Sequence, residues 1–101
     1  MIARHWKGLA KKERAADYIK HLKAETFEKL NHINGFVKAS ILSREIETGT
    51  EFLVITEWID IKALKQFAGE SYEQAVVPEI AREMMVSYDQ VARHYKIHEQ
   101  H

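Results

Sequence analysis

The stretch "EFLVITEW", residues 51 to 58, restricts the fold more than any other part of the chain. Read as a β-strand, it puts Phe52, Val54, Thr56 and Trp58 on one face and Leu53 and Ile55 on the other, so both faces carry bulk. A strand with one face in water would alternate apolar with polar residues. Both faces therefore need cover. With 101 residues, the chain is expected to form one domain over 1–101, with a single core that buries roughly two-thirds of the unfolded surface. Its helices can cover one side of the sheet, and nothing is left over to cover the other. A second copy of the chain is the economical solution.

The remaining segments supply the other layers. "MIARHW" reads as a first strand over residues 2–7, with Ile2, Arg4 and Trp6 on one face and Ala3 and His5 on the other. From Lys11 to about Leu30, Ala15, Tyr18, Ile19, Leu22, Thr26 and Leu30 recur at spacings of three and four, which predicts one amphipathic helix. Asn34 and Gly35 in "NHING" reverse the chain. Residues 36–45 and 51–58 form an antiparallel hairpin turning at Thr48 and Gly49. Asp60 caps a helix over Ile61–Ala68, Gly69 stops it, and Ser71 with Gln74 has capping-box spacing. Pro78 opens another helical piece, "PEIAREMM". "QVARHYKIH", residues 90–98, is the last strand, followed by a tail over 98–101 that is expected to be mobile. The order βαββαβ with right-handed crossovers predicts an α+β, ferredoxin-like fold: a four-stranded antiparallel sheet with helices on one face.

Composition excludes several functions. Fifteen basic and fifteen acidic residues cancel, with no run of like charge longer than two or three, so the footprint that nucleic acid or an anionic membrane requires is missing. There is no cysteine, which removes disulfides and thiolate chemistry and suits a reducing, cytoplasmic compartment. No stretch has the length of a membrane span, and the N-terminus lacks the apolar segment of a signal peptide.

Six histidines raise the question of a metal. His94 and His98 are four apart, which on a helix would place both on one ion. On a strand they stand about 13 Å apart, so no metal site is expected. His21, His32, His98 and His101 read as solvated or core-edge residues. No serine has a nucleophile-elbow setting, and no glycine-rich loop precedes a helix. What stands out is an aromatic group: Trp6, Trp58, Phe67 and Tyr72, with Arg4 on the face of Trp6. Such a group either completes a core or lines the mouth of a pocket.

Four segments, "MIARHWKG", "TEFLVITEW", "FAGESYEQAVVPE" and "VARHYKI", resemble in order and spacing the antibiotic biosynthesis monooxygenase (ABM) domain family, over nearly the whole chain. The resemblance implies a dimeric α+β barrel, in which two ferredoxin-like sheets pack face to face. It also implies relatives that oxygenate phenols or quinols without a cofactor, or that degrade haem. The haem-degrading pattern of Asn, Trp and His falls on Trp6, Phe67 and Val77, and none of these matches. Of the cofactor-free pattern, Trp58 fits, whereas Val54 and Leu64 stand in place of Asn and Tyr. The expected function is a cofactor-independent monooxygenase for a small aromatic or quinol-type substrate. The alternative is a non-catalytic, ligand-binding or stress-related homodimeric module. Trp6, Val54, Trp58, Phe67, Tyr72 and Val77 are the expected walls of the pocket. Arg4 is expected to hold a substrate anion and His94, or else His5, to take its proton, with no cofactor and no metal.

Overall fold

The computed structural model describes residues 1–101. Its centre is β1 (Ile2–Ala10), which pairs antiparallel with β3 (Gly49–Trp58) from Ile2 opposite Trp58 to Ala10 opposite Thr50. β2 (Phe36–Ile46) pairs with the far side of β3 and forms one edge. The other side of β1 is shared by two short strands. β4 (Met85–Tyr88) takes Gly8 to Ala10, and β5 (Arg93–Lys96) takes Ile2 to His5. The order β2-β3-β1-β4, with β5 also on β1, is the ferredoxin-like plan. Its fourth lane is broken into two pieces.

Several boundaries differ from the sequence reading, each for a physical reason. The first strand runs on to Ala10 rather than ending at Lys7, because Gly8 belongs inside it. A Cβ at Gly8 would come within 2.6 Å of Trp6 Cη2, so the missing side chain lets the indole lie along the strand. The helix expected over 11–30 is not uniform. It consists of a 3₁₀ turn (Lys12–Arg14), α1 (Ala15–His21), a π turn (Leu22–Thr26) and α2 (Phe27–Leu30). The π turn adds a residue to one turn, with the Phe27 N–H donating to the Leu22 carbonyl. Spacings of three and four do not distinguish this from a regular helix.

Helix α3 (Ile61–Ala68) forms as read, with Asp60 accepting from the Ala63 N–H at 2.8 Å and Gly69 following at positive φ. "PEIAREMM" does not stay helical. Only α4 (Glu79–Arg82) forms, and the chain then turns into β4, with the Lys11 N–H donating to the Met84 carbonyl at 2.9 Å. Met84 and Met85 are buried, so core contact overrides a helical pattern only two turns long. The last strand shrinks from 90–98 to Arg93–Lys96, while Val91 makes an isolated bridge to Gln74. Beyond it Gln100 donates to Glu57 at 3.1 Å.

The helices pack on one face of the sheet and enclose two buried clusters. Ala10, Tyr18, Leu22, Phe52, Ala81, Met84 and Met85 form one, and Leu30, Trp58, Ala63 and Leu64 form the other. Phe27 packs against both. On the opposite face no helix covers the sheet, and Leu42 and Tyr95 are about half exposed. No helix is long and apolar enough to cross a membrane.

Candidate functional site

Between the two clusters the helix layer stands away from the sheet and leaves a cavity of about 60 Å³. Four side chains from paired positions form its floor, Arg4 opposite Thr56 and Trp6 opposite Val54. Tyr18 and His21 of α1, Leu22 and Thr26 of the π turn, and Phe27 of α2 form one wall. Phe67 and the segment Val76, Val77, Pro78 and Ala81 form the other. The cavity leads into a vestibule of about 250 Å³ that shares His21, Thr26, Phe67, Val76 and Pro78 and adds Glu25, Lys29 and Ile80. A water needs about 10–15 Å³ on this measure, and an apolar cavity of about 150 Å³ accepts benzene. The inner chamber therefore takes a polar head group or a few waters, and a ring must extend into the vestibule.

Arg4 is the dominant electrostatic feature. It is 5% exposed and has no carboxylate within ion-pair distance. Nη1 donates to the Tyr72 carbonyl and to His94 Nε2 (2.9 Å), and Nη2 donates to the Gln74 carbonyl at 3.0 Å. Burial lowers its pKa from 12.5 to about 10. A guanidinium held by two carbonyls and a neutral imidazole keeps its full positive charge at neutral pH, and Nε makes no hydrogen bond to the protein. A buried cation without a counter-ion, in an apolar chamber, favours an anion.

Three hydroxyl and imidazole groups complete the chamber. Thr56 Oγ1 accepts from Trp58 Nε1 at 2.9 Å, which leaves the Thr56 O–H free to donate. Tyr18, almost fully buried, lies edge-on to Phe52 with centroids 5.0 Å apart, and burial raises its phenol pKa, so it stays protonated. His21 Nε2 is buried and has no hydrogen-bond partner.

Of the residues singled out from the sequence, Arg4, Trp6, Val54, Phe67 and Val77 line the cavity, whereas Trp58, Tyr72 and His94 do not. Trp58 is fully buried among Phe36, Phe67 and Leu64, stacked on the Phe67 ring at 6.0 Å. It reaches the cavity only through its neighbours Thr56 and Phe67. Tyr72 turns its ring onto His94 (5.1 Å, edge-on) and contributes only its carbonyl to Arg4. His94 lies on the far side of Arg4, at a surface hollow lined by Tyr72, Glu73 and Tyr95. Because an arginine only donates, His94 Nε2 is an acceptor and the ring proton is on Nδ1. Burial, and then the Arg4 charge, lower the His94 pKa, and Glu73 acts in the opposite sense. The Trp6 indole donates to the Asp89 carbonyl at 2.8 Å, which fixes the ring across the floor.

The sequence reading missed Tyr18, His21, Thr26 and Thr56. Tyr18 and Thr26 were already on the predicted apolar stripe, and a polar atom on a stripe facing a sheet was the available signal. His21 had only its spacing of three from Tyr18. No cluster of three or more His, Cys, Asp or Glu residues is placed to hold a metal ion.

No family model matches the sequence, and no curated protein matches it. Solved structures match over nearly the full length. A Bacillus cereus protein provisionally named an antibiotic biosynthesis monooxygenase superposes with a TM-score of 0.68 at 17% identity, over 100% of this chain and 94% of that one. A conserved protein from Methanosarcina mazei Go1 gives 0.70 at 18%, over 94% and 90%. SnoaB, a cofactor-independent oxygenase from Streptomyces nogalater, gives 0.67 at 15%, over 98% and 94%. This chain has the α+β fold of the antibiotic biosynthesis monooxygenase structures. At these identities the likeness is one of fold, and the residues of the cavity must carry any argument about chemistry.

Proposed function

We propose that the chain is a monooxygenase that acts, without a bound cofactor, on a small phenol, hydroquinone or anthrone-like substrate. The observation that carries this reading is Arg4: a buried cation without a carboxylate partner, on the floor of an aromatic and apolar cavity. Its fold likeness to SnoaB, a cofactor-independent oxygenase, supports the same class.

The chemistry asks little of the protein beyond what these residues offer. With an anthrone-type substrate, whose CH₂ ketone and phenol tautomers share one anion, loss of the proton from either tautomer leaves a phenolate that Arg4 stabilises. The electron-rich anion passes an electron to dioxygen, and the radical pair recombines to a carbon-bound hydroperoxide. Loss of water then leaves a carbonyl. The four electrons that reduce dioxygen all come from the substrate carbon, which goes from CH₂ to C=O, and one oxygen atom leaves as water. Phe67, Val76 and Pro78 hold the ring in the vestibule, while Trp6 and Val54 close the inner chamber around its oxygen and exclude water, which strengthens the Arg4 interaction. Val77 lines the cavity where a haem-degrading relative would need a ligand, and an isopropyl group offers none.

The assembly is proposed to be a homodimer in which the uncovered sheet faces pack together, in a cytoplasmic setting. The half-exposed Leu42 and Tyr95, beside the partly buried Leu53 and Ile55, support that contact. A second reading, a ligand-binding module without catalysis, has one observation in its favour: His94 Nε2 is already occupied by Arg4 and cannot act as the base.

An oxygen electrode separates the two readings. The colourless protein should consume dioxygen with at least one of a panel of hydroquinones and anthrone-type phenols. Arg4→Lys, which keeps the charge but loses the planar fork, should lower kcat/KM by more than tenfold. Binding by tryptophan quenching across the panel, with no uptake above the buffer rate, would establish the non-catalytic module instead.

A further inference from the structure

His21 is the one residue whose buried side-chain polar atom has nothing to bind. It lines both the inner chamber and the vestibule, so a ligand passing from one to the other passes its ring. Native structures rarely leave such an atom unpaired, because burial removes the water it would otherwise hold. The ring is held in place. It lies nearly parallel to the Tyr18 ring at 6.4 Å and 25°, and it ends α1 at the point where the π turn begins. π turns of this kind recur at functional sites. The charged and titratable groups around it are Tyr18 and Arg4 in the chamber and Glu25 and Lys29 at the mouth, while Val76, Val77 and Pro78 opposite bring no charge.

We propose that His21 Nε2 is the proton acceptor of the cavity, taking the hydroxyl proton of a phenol whose oxygen comes to rest as phenolate on Arg4. The inference rests on the reading of the cavity as a phenol site. The O–H bond breaks, its electron pair stays on oxygen, and an N–H bond forms at Nε2, giving an imidazolium beside a phenolate with no change of oxidation state. Nδ1, which has no protein partner, then returns the proton to solvent. The two groups divide the work: Arg4 binds the anion and His21 makes it. Imidazole suits the second task because it exchanges protons near neutral pH. His94 does not, because its Nε2 already accepts from Arg4.

The test uses 4-nitrophenol, whose phenolate is yellow, in buffer below its own pKa, with 4-nitrobenzoate as a ligand that arrives already ionised. The native protein should bind 4-nitrophenol and develop the yellow band. His21→Ala should reduce that band at least tenfold and recover it on addition of imidazole, which fits the vacated space. His21→Gln, a conservative variant in case the alanine form folds poorly, should lose the band without rescue. Binding of 4-nitrobenzoate should be lost in Arg4→Met and should fall in the His21 variants by much less than the yellow band does. An undiminished band in His21→Ala and His21→Gln would overturn the assignment of His21 while leaving the cavity as a phenol site. Failure of the native protein to ionise bound 4-nitrophenol would overturn it as well. The oxygenase reading fails separately, if the dye ionises yet no phenol drives oxygen uptake.

Discussion

Replacing Arg4 with methionine tests whether the buried guanidinium is a strut as well as an anion site. Methionine has a similar length and no charge, so the variant removes the three hydrogen bonds to Tyr72, Gln74 and His94 without opening a large hole. Two effects oppose each other. The fall of the Arg4 pKa from 12.5 to about 10 corresponds to at most about 3 kcal/mol of desolvation at 1.36 kcal/mol per unit, less whatever solvent at the Tyr72 side screens. Methionine recovers that penalty. Each hydrogen bond from a charged group contributes about 1.5–3 kcal/mol, and three of them outweigh it. The expected result is a net loss of about 1.5–6 kcal/mol, read from urea unfolding. Amide exchange should quicken at Ala75 and Ala92, whose N–H groups donate to the carbonyls of Gln90 and Glu73, because the segment carrying Tyr72 and Gln74 is then tied to the sheet by fewer bonds.

The same variant has a signature that general loosening would not produce. The His94 pKa is lowered first by burial and then by Arg4, so removing the charge should raise its titration midpoint, followed by NMR of the imidazole. The effect on stability has a definite sign. A histidine whose folded pKa lies below 6.5 leaves the unfolded chain holding more protons between the two values, so stability is lost as pH falls from about 6.5 toward the folded value. His5, lowered chiefly by burial with Glu57 opposing, adds a loss of the same sign. Arg4→Met should flatten the part of this dependence due to His94. A variant as stable as the native protein, with an unmoved His94 titration, would refute the reasoning.

Two further outcomes follow from the packing. Trp58→Phe keeps the ring in the core but removes the Nε1 donor to Thr56 at 2.9 Å; it should cost about 1–3 kcal/mol and change kcat without abolishing binding, checked by unfolding and by oxygen uptake. Leu53→Glu would put a charge in the middle of the uncovered sheet face, and sedimentation should find the native chain dimeric at micromolar concentration and the variant monomeric. A folded native monomer at that concentration would remove the proposed homodimer.

How far the fold and the site could be read from the sequence follows from what local pattern encodes. "EFLVITEW" carried its own register, because a period of two fixes which residues face the helices, and β3 puts Phe52, Thr56 and Trp58 in the interior. Gly35, at a φ of 99° in the chain reversal, and Asp60 at its helix cap were legible for the same reason: their chemistry acts within a few residues. The π turn was not, since one extra residue in one turn leaves the apolar stripe almost unchanged. Nor was β4, because "EMM" satisfies a helix and a strand equally and only contact with Ala10 decides.

The site shows the same limit more sharply. Faces could be assigned from alternation, and Arg4, Trp6 and Val54 do share one, with Phe67 of α3 facing them across the cavity. A face is not yet a cavity. Trp58 shares that face too, but it lies at the end of β3, opposite Ile2 and Phe36, where α3 comes down on the sheet and leaves no space. Two residues earlier Thr56, opposite Arg4, lines the cavity with Leu22 and Thr26, the first and last residues of the π turn. The residues of a legible face that can meet a ligand are therefore those that share a space with the turn the sequence concealed. That turn begins next to His21 at the end of α1. On this argument, shortening the π turn by deleting Ala24 should restore regular helical pairing, close the chamber and abolish phenol binding while the protein remains folded. Far-ultraviolet circular dichroism and 4-nitrophenol titration would check it. A deletion variant that is folded and binds as the native protein does would show that the cavity is set by the sheet and the 76–81 segment instead.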